Sequence, residues 1–128
     1  MGDDKSKDSV MMSTLPKTWI FDLDGTLLKH NGYKIDGMDS VLPGVLEYLA
    51  SIPDEDRIVI LTSRTDEYRD MTLSFLEDNG IRYDDIIFNI PFGERIVVND
   101  RKPSGIDMAY AMNLDRDEFF LPEIERAT

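Results

Sequence analysis

The feature that most constrains the fold is an alternation of short apolar runs with segments of helical periodicity. "KTWIFDL" (17–23) and "RIVILTS" (57–63) are rich in β-branched and aromatic residues, which is typical of buried strands. The segment between them, "VLPGVLEYLASI" (41–52), repeats its apolar residues at helical spacing. Strands that alternate with helices predict an α/β domain with a mostly parallel sheet.

The rest of the chain continues this alternation. We predict helices over 65–80 and 103–114 and strands over 85–89 and 95–99. The first sixteen residues are polar and without periodicity. We therefore expect a flexible N-terminal tail over 1–16 and a single domain over 17–128.

Composition limits the classes of partner and compartment. The chain has 14 Lys plus Arg against 26 Asp plus Glu, a formal net charge of -12. Such a chain repels nucleic acid phosphates and anionic lipids, so neither nucleic acid nor a membrane is expected as a partner. The absence of cysteine excludes a disulfide framework and a thiolate nucleophile. Neither a membrane span nor a secretory signal is visible, and we expect a cytoplasmic protein.

Polar side chains follow three of the predicted strands. Asp22 and Asp24 come after the first, Thr62 and Ser63 after the second, and Asp100 after "RIVV". In doubly wound sheets, ligands bind at the carboxyl ends of the strands near the switch point in strand order. Converging carboxylates repel one another, and a hard divalent cation removes that cost. The sequence therefore predicts Mg²⁺-assisted phosphate chemistry.

Three motifs, in order along the chain, resemble those of one enzyme superfamily. "FDLDGTLL" (21–28) looks like the first motif, DxDGT, of the haloacid dehalogenase superfamily of phosphohydrolases. "VILTSR" (59–64) is similar to its second motif and "VVNDRKPSG" (97–105) to its acidic fourth motif. The resemblance covers about residues 17 to 115 and implies a three-layer, doubly wound, Rossmann-like fold. No segment between the motifs is long enough for a cap domain.

The resemblance also implies roles for individual residues. Asp22 matches the nucleophile, which forms an aspartyl-phosphate. Asp24 matches the general acid and base, with its backbone carbonyl as a metal ligand. Thr62 matches the hydroxyl that holds the transferring phosphoryl group. Asp100 matches the acidic residue that anchors Mg²⁺ together with Asp22.

Four further residues are predicted to bind the substrate phosphate. Gly25 and Thr26 allow a sharp turn after the two acids, which lets backbone amides face the phosphate. Ser63 and Arg64 directly follow Thr62 in the second motif.

The chain departs from the family pattern at the third motif. That motif is a lysine, yet no lysine lies between Thr62 and Asp100. Arg95 begins the predicted strand "RIVV", so it is expected at the opposite end of the sheet from Asp100. Lys102, two residues past Asp100, is therefore predicted to supply the catalytic cation.

These features predict a Mg²⁺-dependent phosphatase that acts on a phosphate monoester, with a small phosphorylated metabolite such as a sugar phosphate as the first choice. A polynucleotide or protein phosphatase with an open, capless site is one alternative. A weak or inactive binding domain of the same fold is another, because the third-motif lysine is absent. A receiver-like phosphoacceptor domain and a homo-oligomer that lends a subunit as a lid are also left open.

Overall fold

A computed structural model describes residues 9–127 and shows a mixed α/β fold with parallel strands in two small sheets. None of the helices in these residues has the length and apolar character needed to cross a membrane. The elements in chain order are β1 (Ser9–Met12), β2 (Thr18–Asp22), α1 (Gly32–Ile35), α2 (Val45–Ser51), β3 (Arg57–Leu61), a 3₁₀ turn (Asp66–Tyr68), α3 (Arg69–Asp78), β4 (Asp85–Ile87) and β5 (Glu123–Arg126).

The larger sheet confirms the predicted alternation of strands and helices. Its strand order is β2-β3-β4 and both pairs are parallel. Helix α2 lies between β2 and β3 in the chain, and α3 lies between β3 and β4. Ile58 and Ile60 of β3 are fully buried, as expected for a central strand.

The strand order of this sheet has no reversal, so the described residues contain no topological switch point. The carboxyl end of β2 is consequently at the edge of the sheet. The arrangement is compatible with a Rossmann-like fold. The three-layer, doubly wound form that the resemblance implies stays a prediction.

A second sheet pairs β1 with β5 in parallel, with Val10 opposite Ile124. Strand β1 lies within the segment that was expected to be a tail, while residues 1–8 and 128 lie outside the described part of the chain. The pairing joins the two ends of the described chain. It also places Arg126 of β5 beside Asp56, which precedes β3.

Buried leucines fix the loop that follows β2. Leu23, Leu27 and Leu28 have no exposed surface. The carbonyl oxygen of Leu23 accepts hydrogen bonds from the amides of Leu27 and Leu28 at 2.9 and 3.0 Å. Because the leucine side chains are buried and the backbone closes a tight turn, residues 24–26 are held at the carboxyl end of β2.

The predicted strand over 95–99 and the predicted helix over 103–114 are absent. Residues 88–122 contain no strand and no helix. Ile96 and Val98 are 85% and 89% exposed, since no neighbouring strand pairs with them. Strand propensity reflects packing against neighbours, so an apolar run without partners does not form a strand. The helix is interrupted at Gly105, whose φ of 95° is left-handed.

Asp56 links the two sheets through a buried carboxylate. It accepts hydrogen bonds from the Lys17 amide, from Trp19 Nε1 and from Arg126 Nη2, at 2.9 to 3.0 Å. Burial alone would raise the pKa of Asp56, but these hydrogen bonds outweigh it and hold the pKa below its ordinary value. A carboxyl with a lowered folded-state pKa contributes stability above its unfolded pKa, about 3.9, and loses it as the pH falls through the folded value.

We expect Asp56→Asn to lower the free energy of unfolding at pH 7 by about 2 kcal/mol, because hydrogen bonds to a charged acceptor are lost. The stability of the variant should also depend less on pH below about 4. Urea denaturation at pH 7 and pH 3 measures both effects. Asp85→Asn is the control, since Asp85 pairs with an exposed arginine, Arg57. Equal pH dependence in wild type and Asp56→Asn would contradict this role for Asp56.

Candidate active site

Asp22 is the last residue of β2 and lies at the start of a tight loop. The loop brings Thr26 back to Asp22, and Thr26 Oγ1 donates a hydrogen bond to Asp22 Oδ2 at 3.1 Å. The turn depends on Gly25, which has a left-handed φ of 86° and donates its amide to Leu28 at 2.7 Å. The structure thus brings Thr26 to the predicted nucleophile, whereas the Gly25 amide, which was expected to face the phosphate, is hydrogen-bonded within the turn.

Arg95 contacts the predicted nucleophile directly. Its Nη1 donates a hydrogen bond to Asp22 Oδ1 at 2.9 Å, and the Asp22 side chain remains 38% exposed. The expectation that Arg95 lies at the far end of a strand is wrong, because residues 95–99 do not form that strand. Lys102, the predicted cation, is exposed, and its side chain makes no hydrogen bond or ion pair within residues 9–127.

Thr62 lies at the same end of the sheet as Asp22. The register of β2 and β3 pairs Asp22 with Leu61, so Thr62 follows directly after that pair. The Thr62 side chain is buried, and its Oγ1 accepts a hydrogen bond from the Arg64 amide at 3.1 Å. Ser63 is partly exposed, and its hydroxyl donates to the Pro91 carbonyl at 3.4 Å.

Arg64 is buried and uses all of its N–H donors within the protein. A guanidinium has five N–H groups. Two of them bind Asp24, from Nε to Oδ2 at 3.0 Å and from Nη2 to Oδ1 at 2.8 Å. Two bind Asp39, from Nη1 at 3.0 Å and from Nη2 at 2.7 Å, and the fifth donates to Thr72 Oγ1 at 2.9 Å. No donor of Arg64 is left for the substrate phosphate that the sequence assigned to it.

The surroundings of Arg64 stabilise its charge. The ring of Tyr33 packs against the guanidinium, with its centroid 4.1 Å from Cζ. Burial alone would lower the pKa of Arg64, but its hydrogen bonds and charge interactions with Asp24 and Asp39 outweigh burial and raise it. Sequence reasoning missed Asp39, Thr72 and Tyr33, because no local motif connects them with the second motif.

A turn near the end of the chain also contacts the β2 loop. The Asp117 amide donates to the Gly25 carbonyl at 2.8 Å, and the Asp117 carboxylate accepts the His30 amide at 2.7 Å. This contact places Arg116 against Gly25, where a Cβ on Gly25 would lie 3.2 Å from Arg116 Cγ. The Arg116 side chain is exposed and has no hydrogen bond or ion pair among the described residues.

The predicted magnesium ligands do not come together. Within residues 9–127, no three acidic or histidine side chains form a group that could hold a metal ion. Both carboxylate oxygens of Asp24 accept hydrogen bonds from Arg64, and the hydrogen bonds at Asp100 come from its neighbour Asn99. Asp100 follows the strand that does not form, so it is not delivered to the end of β2. The described residues therefore do not bring Asp22, Asp24 and Asp100 together as one set.

No family model and no curated protein matches this chain. Two solved structures are similar to it. A chain of "Structure of Pnkp1/Rnl/Hen1 complex" is 28% identical with a TM-score of 0.48, and the match covers 66% of this chain and 32% of that one. A chain of "Structure of the Pnkp1/Rnl/Hen1 RNA repair complex" is 25% identical with a TM-score of 0.48, covering 73% of this chain and 32% of that one. This chain therefore spans about a third of the length of either neighbour.

These neighbours contradict the expectation that the substrate is a small molecule and that nucleic acid is not a partner. Both belong to multi-protein complexes, and one of these is named for RNA repair. Net charge misled here because it is a property of the whole chain, whereas Arg95 and Arg116 lie beside the candidate nucleophile and its loop. Both TM-scores are below 0.5. The function proposed for this chain therefore rests on the residues of its own site.

Proposed function

We propose that this chain is a phosphohydrolase that removes a terminal phosphate from a polynucleotide through an aspartyl-phosphate at Asp22. The observation that carries the proposal is the placement of Asp22. Its carboxylate is partly exposed at the carboxyl end of β2, and Thr26 and Arg95 donate hydrogen bonds to its two oxygens. An oriented, accessible carboxylate of this kind is suited to nucleophilic attack.

The reaction has two steps. First, an Asp22 oxygen forms a bond to phosphorus, the ester bond breaks, and the leaving oxygen takes up a proton from solvent water. Water then attacks the same phosphorus, the bond to Asp22 breaks, and the proton of the water passes to Asp24, which follows two residues after Asp22. Thr62 lies at the same end of the sheet, where its buried hydroxyl oxygen accepts a hydrogen bond from the Arg64 amide.

Arg95 supplies the positive charge that the first step requires. A phosphate that approaches Asp22 brings negative charge toward a carboxylate, and two unit charges 4 Å apart near a protein surface interact by about 4 kcal/mol. The guanidinium already bonded to Asp22 offsets this repulsion and can also donate to a phosphate oxygen. Arg95 therefore takes the role that the family pattern gives to a lysine.

An accessible site suits the end of a large substrate. The Asp22 side chain is 38% exposed in the described structure, so a chain end can reach it. The exposed Arg116 side chain packs against Gly25 and makes no hydrogen bond or ion pair within residues 9–127, so it is available for a neighbouring phosphate of the same polynucleotide. The requirement for Mg²⁺ and the haloacid dehalogenase-like fold remain proposals that rest on the sequence motifs.

Phosphate release from end-phosphorylated oligonucleotides tests the proposal. We expect steady turnover of para-nitrophenyl phosphate, and a kcat/KM about tenfold or more higher for an oligonucleotide end, because one added charge-assisted contact contributes about 1.4 kcal/mol or more. RNA and DNA with 3′ or 5′ phosphates should be compared with a phosphopeptide, with Mg²⁺ and in excess chelator. A single stoichiometric phosphorylation would instead indicate a phosphoacceptor domain. No reaction with any substrate would refute the proposed function.

A further inference from the structure

The contacts of Arg64 form a closed unit around Asp24. The side chains of Arg64 and Asp39 are 1% and 2% exposed, and that of Asp24 is 19% exposed. The three residues come from separate parts of the chain: the β2 loop, the segment before α2, and the segment after β3. We call Arg64, Asp39, Thr72 and Tyr33 the Arg64 anchor.

Stability alone does not explain the Arg64 anchor. Burying charged groups carries a desolvation cost that often equals or exceeds their attraction, so apolar residues would serve the core as well. What the arrangement does provide is orientation. One edge of the planar guanidinium binds both oxygens of Asp24, and the Nη1–Nη2 edge binds both oxygens of Asp39. With Thr72 and Tyr33 also in contact, the guanidinium has no free rotation.

We propose that Arg64 is a positioning residue that presents Asp24 as an oriented base to the water that releases phosphate from Asp22. This inference rests on the proposed function. A carboxylate that accepts two hydrogen bonds from one planar guanidinium is held in a single plane. Each oxygen keeps a second lone pair, which can accept the proton of the attacking water. Such alignment is worth most in a step that transfers a proton.

We expect one of the two steps to slow when the paired hydrogen bonds from Arg64 to Asp24 are lost. Para-nitrophenolate is a good leaving group and needs no proton, so formation of the aspartyl-phosphate depends little on Asp24. Its hydrolysis depends on Asp24 fully. Arg64→Lys keeps the charge but cannot bind two carboxylates through a planar fork. This variant should release about one equivalent of para-nitrophenolate in a burst, followed by steady turnover about 10²-fold slower than wild type.

Three further variants complete the experiment. Asp24→Asn should show the same burst, because it removes the base itself. Asp39→Asn keeps the shape of the anchor but removes one charged acceptor, so the second step should slow by about tenfold. Arg69→Lys is the matched control: Arg69 also pairs with an aspartate, Asp66, but the pair is exposed, and its kinetics should equal those of wild type. The phosphoenzyme should survive a cold-acid quench and be cleaved by hydroxylamine, as is expected of an acyl phosphate.

The outcomes separate the inference from the proposed function. A wild-type protein without turnover or phosphoenzyme would refute the proposed function. If the wild-type protein turns over but Arg64→Lys slows both steps equally, or slows neither, the positioning role is refuted and the proposed function is not. If Arg64→Lys fails to fold, Asp39→Asn decides: wild-type kinetics in a folded Asp39→Asn would make the anchor purely structural and overturn the inference.

Discussion

Replacement of Asp22 with Asn is expected to reduce phosphate release by about 10⁴-fold or more. An amide oxygen is a far weaker nucleophile than a carboxylate, so no aspartyl-phosphate should form. The fold should persist, because the Asn oxygen can still accept the hydrogen bond from Thr26. Steady-state kinetics and phosphoenzyme trapping measure the loss, and urea denaturation verifies the fold.

A matched control for Asp22→Asn is Asp36→Asn. Asp36 is also an aspartate paired with a cation, Lys29, but both side chains are exposed and outside the site. Its activity should equal that of wild type. Full activity in a folded Asp22→Asn would show that another group attacks phosphorus and that the β2 loop has only a binding role.

Arg95→Ala is expected to lower kcat/KM by about 10²-fold, in line with the loss of one electrostatic stabiliser of the transition state. The reason is its hydrogen bond to Asp22, since removal of Arg95 leaves the repulsion between that carboxylate and the phosphate without compensation. Arg95→Lys should recover part of the loss, because it restores the charge without the guanidinium geometry. Kinetics with para-nitrophenyl phosphate and with an end-phosphorylated oligonucleotide measure both variants.

Lys102→Ala is the comparison for Arg95→Ala. Lys102 lies in an exposed turn in which its amide donates to the Ile106 carbonyl, and its side chain contacts no site residue in the described chain. Its kcat/KM should stay within about twofold of wild type, as is usual for a surface residue that contacts neither substrate nor site. A large loss at Lys102 with Arg95→Ala near wild type would show that residues 95–102 adopt a different arrangement when substrate binds.

Local patterns in the sequence were sufficient for the central elements. The apolar runs that became β2 and β3 bury alternate side chains, Phe21 in β2 and Ile58 and Ile60 in β3. Helical spacing predicted α2, and an acidic start with an Asn-Gly end predicted α3, because in each case neighbouring residues carry the signal. The same holds for the β2 loop. Asp22 and Thr26 are only four residues apart, so the turn at Gly25 is enough to bring their side chains together.

The region after β4 shows where local patterns fail. The run from Ile96 to Val98 has the composition of a strand, yet it has no partner strand and stays exposed. A strand is stable only through its neighbours, so composition could not decide whether this one forms. The error carried over to the site, because it placed Asp100 and Lys102 at the end of a strand and moved Arg95 away from Asp22.

The sequence by itself determined the parallel α/β core and the polar loop at the end of β2, because both depend on residues that are close in the chain. Only the tertiary structure decided which charges meet there. Arg95 reaches Asp22 across 73 residues, and Arg64 reaches Asp24 and Asp39 across 40 and 25 residues. Ion pairs between residues so far apart in the sequence depend on how the elements pack, and local sequence patterns do not predict that packing.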